Sequence, residues 1–371
     1  MPRRPVRRSF IAVAAALTAA AGAVALASAP AATASPPGPV RPSRACSPST
    51  YALGYSDALN KLSYDGATLG GLSSLAYDAR SRAWVSAVDN HASDPARIWF
   101  FRDLADPRVV RDPLVLRRPD GTPYNGMDSD NEGLAVLPNG NYLVSSETEP
   151  SIRIFGRDGV QRASLPVPAR FAVTPAGEAT ANATLEGLSI SPRGDEILAA
   201  MEGPLSGDTS PTDATEHRFL VYGAGRHGRW TLRKQIAYRT EAGQRVPEVA
   251  LYGENSFVVE EASFDVATGN EVRLYAVTGL DRARDVSAVP DLAAAPGVAV
   301  PKTLLADLVH CPTLGAPSLE TQANPLLDNC EGLAVTTPRL PGGFRGLALI
   351  SDDNFSATQT TRVLNLVARL P

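Results

Sequence analysis

Gly133-Leu-Ala-Val-Leu-Pro-Asn-Gly-Asn-Tyr-Leu-Val-Ser-Ser-Glu147, followed closely by Ser151-Ile-Arg-Ile-Phe155, consists of three short apolar runs with a tight break between the first two. The break is Pro138-Asn139-Gly140, and Asn-Gly between two such runs is strong hairpin chemistry. The stretch therefore reads strand, tight turn, strand, loop, strand.

The same pattern recurs along the chain. Gly187 to Glu202 carries the turn Pro192-Arg193-Gly194 and leads, after a longer loop, to His217-Arg-Phe-Leu-Val-Tyr222. Gly71 to Asp78 leads to Trp84–Asp89 and then Arg97–Phe101. Gly332-Leu-Ala-Val leads to Gly346–Asp352 and Arg362–Leu366, and a looser copy runs from Pro247 through Phe257–Glu260 to Arg273–Val277. A more polar fourth strand follows most units, at Val109–Leu116, Val160–Val167, Trp230–Tyr238 and Lys302–Leu308. Antiparallel four-stranded units repeating at about 55–85 residues are the pattern of propeller blades.

The expected fold is thus all-β, a β-propeller of five or six four-stranded antiparallel blades. Five units are clear, and the long, poorly patterned stretch 278–330 leaves room for a sixth. The last unit lacks a fourth strand before Pro371, and Tyr51–Ala58 is available to supply it and close the ring.

Ahead of the repeats, residues 1–34 read as an export signal. Arg3, Arg4, Arg7 and Arg8 precede an Ala-rich apolar run from Ile11 to Leu26, and Ala32-Thr33-Ala34 offers a cleavage site before Ser35. Arg7-Arg8-Ser9-Phe10-Ile11 fits the twin-arginine pattern, with general export as the alternative. The apolar run is too short and wrongly flanked for a membrane span. Residues 35–49 read as a flexible segment and 50–371 as the propeller domain, in a secreted, monomeric protein. The 44% hydrophobic content is that of a globular chain, and its 31 Pro and 30 Gly suit many turns. The net charge of −4 includes the signal arginines, so the mature chain is more acidic still. That argues against nucleic acid or an anionic membrane as partner, and suits a cation.

Three cysteines cannot all pair. Cys46 with Cys311 is the preferred disulfide, Cys311 with Cys330 is the rival, and Cys330 at a strand start suits a buried thiol.

Strands one and two of a blade run antiparallel, so the start of one lies beside the end of the other. Acids recur at both places: Glu132, Glu186, Glu331 and, more weakly, Glu248 before strand one; Asp89, Glu147, Glu202, Glu260 and Asp352 after strand two. An arginine recurs at the start of strand three: Arg97, Arg153, Arg218, Arg273 and Arg362. Asp128, Asp130, Glu149, Glu261 and Asp353 extend the acidic set. One reading is a belt of cross-strand ion pairs, each contributing about 0.2–1 kcal/mol. The other is a carboxylate pocket for a hard divalent cation, with the arginines holding an anionic substrate. The surplus of acids favours a cation. Asp128, Asp130, Glu132, Glu147, Glu331 and Asp352 are the candidate metal ligands, and the five arginines are the candidate substrate-binding residues.

Other catalytic signals are sparse. No Gly-x-Ser-x-Gly elbow, zinc-type His/Cys spacing or Gly-rich phosphate loop occurs. Of the four histidines, His91 has Asp89 nearby to orient it. His91, Glu132 and Glu186 are therefore the candidate acid–base residues.

Asn131-Glu132-Gly133-Leu134, Leu185-Glu186-Gly187-Leu188, the run from Asn324 to Asn329 leading into Glu331-Gly332-Leu333, and Ser351-Asp352-Asp353-Asn354-Phe355 resemble a secreted bacterial family. It is called esterase-like activity of phytase, or phytase-like domain proteins. The resemblance spans roughly residues 50–368. It implies a propeller-like fold and hydrolysis of esters or phosphate esters, and invites comparison with calcium-dependent propeller phytases. The leading expectation is a secreted propeller hydrolase of a small ester or phosphate ester, assisted by Ca2+. A non-catalytic propeller binding a carbohydrate, peptide or envelope component is the alternative.

Overall fold

The computed structural model describes residues 44–89, 92–225 and 228–371. Residues 1–34, expected as an export signal, together with residues 35–43, His91 and His227, lie outside the described residues.

Five small antiparallel sheets form a five-bladed β-propeller with hardly any helix. The first blade comprises Ala76–Asp78, Ala83–Ala87, Arg97–Arg102 and Arg108–Val109, with Leu114–Val115 also pairing its third strand. The second comprises Asn131–Val136, Tyr142–Ser146, Ser151–Phe155 and Gln161–Leu165. The third comprises Leu185–Ile190, Glu196–Met201, Glu216–Ala224 and Trp230–Arg239. The fourth comprises Arg245–Gly253, Ser256–Asp265, Gly269–Thr278 and Lys302–Asp307. The fifth comprises Asn329–Val335, Phe344–Asp352 and Val363–Arg369, completed from the other end of the chain by Thr50–Ser56.

That completion runs from Thr50 opposite Ala368 to Ser56 opposite Val363. The folded ring begins before residue 50, because Ala45–Ser47 adds a further strand outside Thr50–Ser56. Cys46 is bonded to Cys311, and the Ser47 and Thr50 hydroxyls donate to the Leu305 carbonyl at 2.5 and 3.1 Å. Residues 44–49 thus tie the fifth blade to the fourth. Cys330 is a buried free thiol.

No sixth blade occurs in 278–330. Lys302–Asp307 is the fourth blade's outer strand, and Val286, Leu292 and Val298 before it pack on Ala237 of the third blade. Among the described residues, no helix is long and apolar enough to cross a membrane.

Side chains alternate between the two faces of a strand, and both faces of a blade are covered by its neighbours. Leu134 and Val144 pack towards Val85 and Phe100 of the first blade, while Ala135 and Leu143 pack towards Leu188 and Ile197 of the third. The core is therefore five apolar layers between blades, which explains why both strand faces read as hydrophobic.

Near the axis the innermost strands touch one another, and the Gly of each Glu-Gly-Leu allows it. A Cβ on Gly133 would lie 2.3 Å from the Glu186 carbonyl oxygen, one on Gly187 2.9 Å from Glu248 Cα, and one on Gly332 2.6 Å from the Ser74 carbonyl carbon. Each contact is with backbone of the next blade, so no side chain fits. The register shifts at the same places, between Asn131 and Leu134, Leu185 and Leu188, and Cys330 and Gly332. Such bulges re-aim a side chain, and here the residue in the bulge is Glu132, Glu186 or Glu331. Further along the same strands, Leu75, Leu134, Leu188, Val249 and Leu333 line an axial cavity of about 170 Å3. One end of the axis is thus acidic, whereas the other is lined by strand backbone and mostly uncharged side chains.

Candidate functional site

The acidic end draws on four blades. Glu132, Glu186 and Glu331 come from the bulged starts of innermost strands, with Asp130 just ahead of the second blade's. Asp89, Glu147, Glu202 and Asp352 come from the ends of second strands. Carboxylate oxygens of Asp89, Asp130 and Glu132 lie within 4.8 Å of one another, and those of Glu147, Glu186 and Glu202 do likewise. The Asp89 carboxyl contacts those of both Asp130 and Asp352.

Burial and mutual repulsion both disfavour the charged forms. Burial, then contact with Asp130 and the charge of Asp352, pushes the Asp89 carboxyl up to about 10. Burial, then Glu202, pushes Glu147 up to about 8, although the Thr184 backbone N–H bonded to it works the other way. Glu132 and Glu186 rise well above the usual carboxylate range, through burial first and their acidic neighbours second. Asp352 rises likewise, through burial and then Glu331. Its Oδ1 accepts from Asn354 N at 2.8 Å, and its carboxyl is hydrogen-bonded with that of Asp89.

One guanidinium offsets part of this charge. Arg245, at the start of the fourth blade's innermost strand, lies 2.9 Å from Glu202, 3.3 Å from Glu331 and 3.6 Å from Glu186. It also donates to Asn329 Oδ1 at 2.7 Å. Burial opposes its charge, but the charges of Glu331, Glu202 and Glu186 outweigh that and hold it protonated. Among the described residues it is the one cation ion-paired with these eight acids.

Of the sequence-predicted residues, Asp130, Glu132, Glu147, Glu186, Glu331 and Asp352 converge here. Asp128 does not. It sits in the turn from Asn125, accepts from Asn125 N at 2.9 Å and pairs with Arg118 at the surface. Density of acids in the sequence grouped Asp128 with Asp130 and Glu132, but the strand starts only at Asn131, and Asp128 is turned away in the bend before it. His91 lies outside the described residues, so its relation to Asp89 is not described.

The five repeated arginines are not presented to the axis. Arg97 pairs with Asp94 at 2.9 Å, Arg273 with Asp307 and Glu271 at 3.0 and 3.1 Å, and Arg362 with Asp57 at 2.6 Å. Arg153 donates to Ser129 Oγ at 3.0 Å, and Arg218 is buried against Asp208. The correction has a simple cause. Third strands stand two strand spacings, about 10 Å, outside the innermost ones, and acids in nearby loops reach their arginines first. Glu248 is likewise a structural tie, accepting from Leu188 N at 2.7 Å and Val249 N at 2.9 Å between blades three and four. His217 is fully buried and held neutral, its ring lowered to about 4 by burial.

Sequence reasoning missed Arg245 and left Asp89 and Glu202 out of the ligand set. A signal existed for Arg245. In register it takes the place that Asn131 and Leu185 hold in sister blades, so a lone basic residue marks the blade whose Glu-Gly-Leu is missing.

A five-bladed propeller with carboxylates converging on one end of its axis is the class of protein that fold and site define. The chain belongs to the phytase-like family, described as esterase-like activity of phytase, whose model matches residues 67–355. No curated protein sequence matches the chain. Among solved structures, a protein of unknown function from Dyadobacter fermentans is 9% identical over 87% of this chain and 100% of that one, with a TM-score of 0.44. A putative gluconolactonase is 12% identical over 85% of each chain, with a TM-score of 0.39. The PQQ-bound aldose sugar dehydrogenase of Streptomyces coelicolor is 12% identical over 86% and 97%, with a TM-score of 0.37.

Proposed function

We propose that this family member is an exported, monomeric hydrolase of a small ester or phosphate ester, assisted by a divalent cation, Ca2+, at the axial carboxylates. The observation that supports it most is the mutual approach, within 4.8 Å, of carboxylate oxygens of Asp89, Asp130 and Glu132. The donors fit Ca2+, being hard oxygens without thiolate or imidazole among them. Asp89, Asp130, Glu132 and Asp352 would hold the cation. When bound, it would place positive charge on a carbonyl or phosphoryl oxygen and acidify a coordinated water. Glu147, pushed up to about 8, keeps a proton near neutrality and suits a general acid, with Glu186 beside it. Export is supported by the Cys46–Cys311 disulfide, which belongs to an oxidising compartment, and by the signal-like residues 1–34.

The test is hydrolysis of a simple phosphate ester and a short acyl ester by the purified protein, with Ca2+ and with chelator. Turnover that needs Ca2+ and is lost in Glu132→Gln supports the proposal. Full activity in chelator would overturn its cation part.

One observation favours the second reading, a non-catalytic binding propeller. The repeated arginines are all engaged within their own blades or by adjoining loops, and His217 is buried and neutral. Saturable binding of a glycan or peptide, with no turnover of either ester, would select it.

A further inference from the structure

We propose that the cavity lined by Arg282 and Arg284, beside the fourth blade, is a second binding site that takes a small organic phosphate. The inference stands apart from the cation reading above and uses none of the axial acids.

The third strand of the fourth blade runs away from the acidic end: Arg273 lies opposite Glu261, and five residues on Thr278 lies opposite Ser256 at the turn. Beyond Thr278 the chain bends through Gly279 into Leu280–Arg282, passes Arg284, and comes back along Val298–Pro301 to start the fourth strand at Lys302. A cavity of about 350 Å3 lies between the outgoing and returning segments, within the range of about 300–1,000 Å3 common for small-molecule sites.

Both walls are pinned to the third blade. The Lys234 ammonium donates to the carbonyls of Leu280, Asp281 and Ala283 at 2.6, 3.3 and 3.1 Å. On the other side Val300 N donates to the Ala237 carbonyl at 2.9 Å, and Val298 packs on Ala237. The cavity is therefore built into the fold, not left between loose loops.

Its two guanidiniums are unpaired. Among the described residues, neither Arg282 nor Arg284 makes a side-chain hydrogen bond or ion pair, and both are open to solvent. The Arg282 guanidinium lies over Gly279, where an added Cβ would come within 3.1 Å of Nη2, so it is kept at the cavity. Lys234 brings a third positive charge, because its partners here are neutral carbonyls. The acids of the same loop, Asp281 and Asp285, do not line the cavity, and Asp285 is taken up by Ser287 and Gln235 N. A guanidinium presents paired planar donors that match phosphate oxygens, and two of them match a phosphate dianion in charge. A bare phosphate fills only a small part of this volume. Val298 and Pro301 in the lining suit an uncharged organic remainder.

The experiment is calorimetric titration of the purified protein with phenylphosphonate, which cannot be hydrolysed as an ester, and with inorganic phosphate. Low salt and chelator keep any axial cation out of the reading. The wild type is expected to bind one phenylphosphonate per chain, more tightly than inorganic phosphate, with affinity falling as salt is added. Arg282→Gln and Arg284→Gln should each weaken it by at least about tenfold, the loss of one charge-assisted contact, and the double variant should abolish it at an unchanged Tm. Absence of saturable binding, or wild-type affinity in the double variant, would overturn the site. Benzoate binding as tightly as phenylphosphonate would overturn the assignment to phosphate.

Discussion

Arg218 and Asp208 form a two-pronged ion pair with no side-chain exposure on either partner, Nε to Oδ2 at 2.6 Å and Nη2 to Oδ1 at 2.8 Å. Arg218 also donates to the Val286 and Val289 carbonyls, and Asp208 accepts from Leu292 N, so the pair pins the 286–292 loop to the third blade. Removing one partner leaves a buried charge uncompensated, which costs about 3–5 kcal/mol. Arg218→Met is therefore expected to lose that much stability in denaturant unfolding while keeping the Ca2+ stoichiometry of the wild type. A variant of full stability with altered Ca2+ binding would show that Arg218 serves the site instead.

The axial acids make stability depend on pH in a defined direction. In the fold Glu147 lies at about 8 and Asp89 at about 10, against ordinary values near 4 in an unfolded chain. Between those limits the folded chain keeps protons that the unfolded chain has released. Their stabilising contribution is complete below about pH 4 and is lost as pH rises through 8 and then 10. The Tm of cation-free protein should accordingly fall from pH 5 to pH 9. On the proposed cation reading, saturating Ca2+ should take the place of the Asp89 proton and lessen the fall, with affinity rising as pH rises. A cation-free Tm that climbs over this range would contradict the buried, protonated acids.

Gly133→Ala tests the contact between innermost strands. The added Cβ would lie 2.3 Å from the Glu186 carbonyl oxygen and 2.5 Å from Leu188 Cβ. Overpacking of this kind costs about 1–3 kcal/mol, or more where backbone must move. Because the displaced strand carries Glu186, the variant should show both a lowered Tm and a shifted Glu186 environment. Wild-type stability would mean that the blades have room to part at the axis.

The Cys46–Cys311 bond closes the ring across a sequence separation of 265 residues. Loss of such a native disulfide costs about 2–5 kcal/mol. Cys46→Ser is expected to melt earlier by that amount and to be cleaved first near its N-terminus under limited proteolysis. Reduction should reproduce both effects in the wild type, and an unchanged melt would place the closing strength in Thr50–Ser56 alone.

Much of this was legible in the residues themselves. Pro138-Asn139-Gly140 and Pro192-Arg193-Gly194 are local turn chemistry, so hairpins, blade boundaries and the closing strand near Tyr51 could be read without tertiary information. The recurring Glu at the innermost strand start and acid at the second strand's end placed most of the axial cluster, because antiparallel pairing by itself brings those positions together. Asp128 was misplaced because closeness in sequence does not show which acids of a turn face the axis: Asp128 bonds back to Asn125 N and pairs with Arg118, while Asp130 reaches the cluster. The blade count within 278–330 stayed open because loop and outer strand look alike when both are polar.

The sequence by itself determined the repeat, the fold class and most of the carboxylates at one end of the ring, since these follow from strand period, turn residues and pairing direction. Only the tertiary structure decided how the charges are partnered. Arg97, Arg153, Arg218, Arg273 and Arg362 recur as regularly as the acids, yet none is ion-paired with the axial group, while the unrepeated Arg245 reaches three of its members. The reason is distance from the axis. A strand's rank within its blade sets how far its side chains stand from the centre, and Coulomb attraction at contact range is settled by which loop acid or innermost-strand base arrives first, a quantity that sequence spacing does not contain.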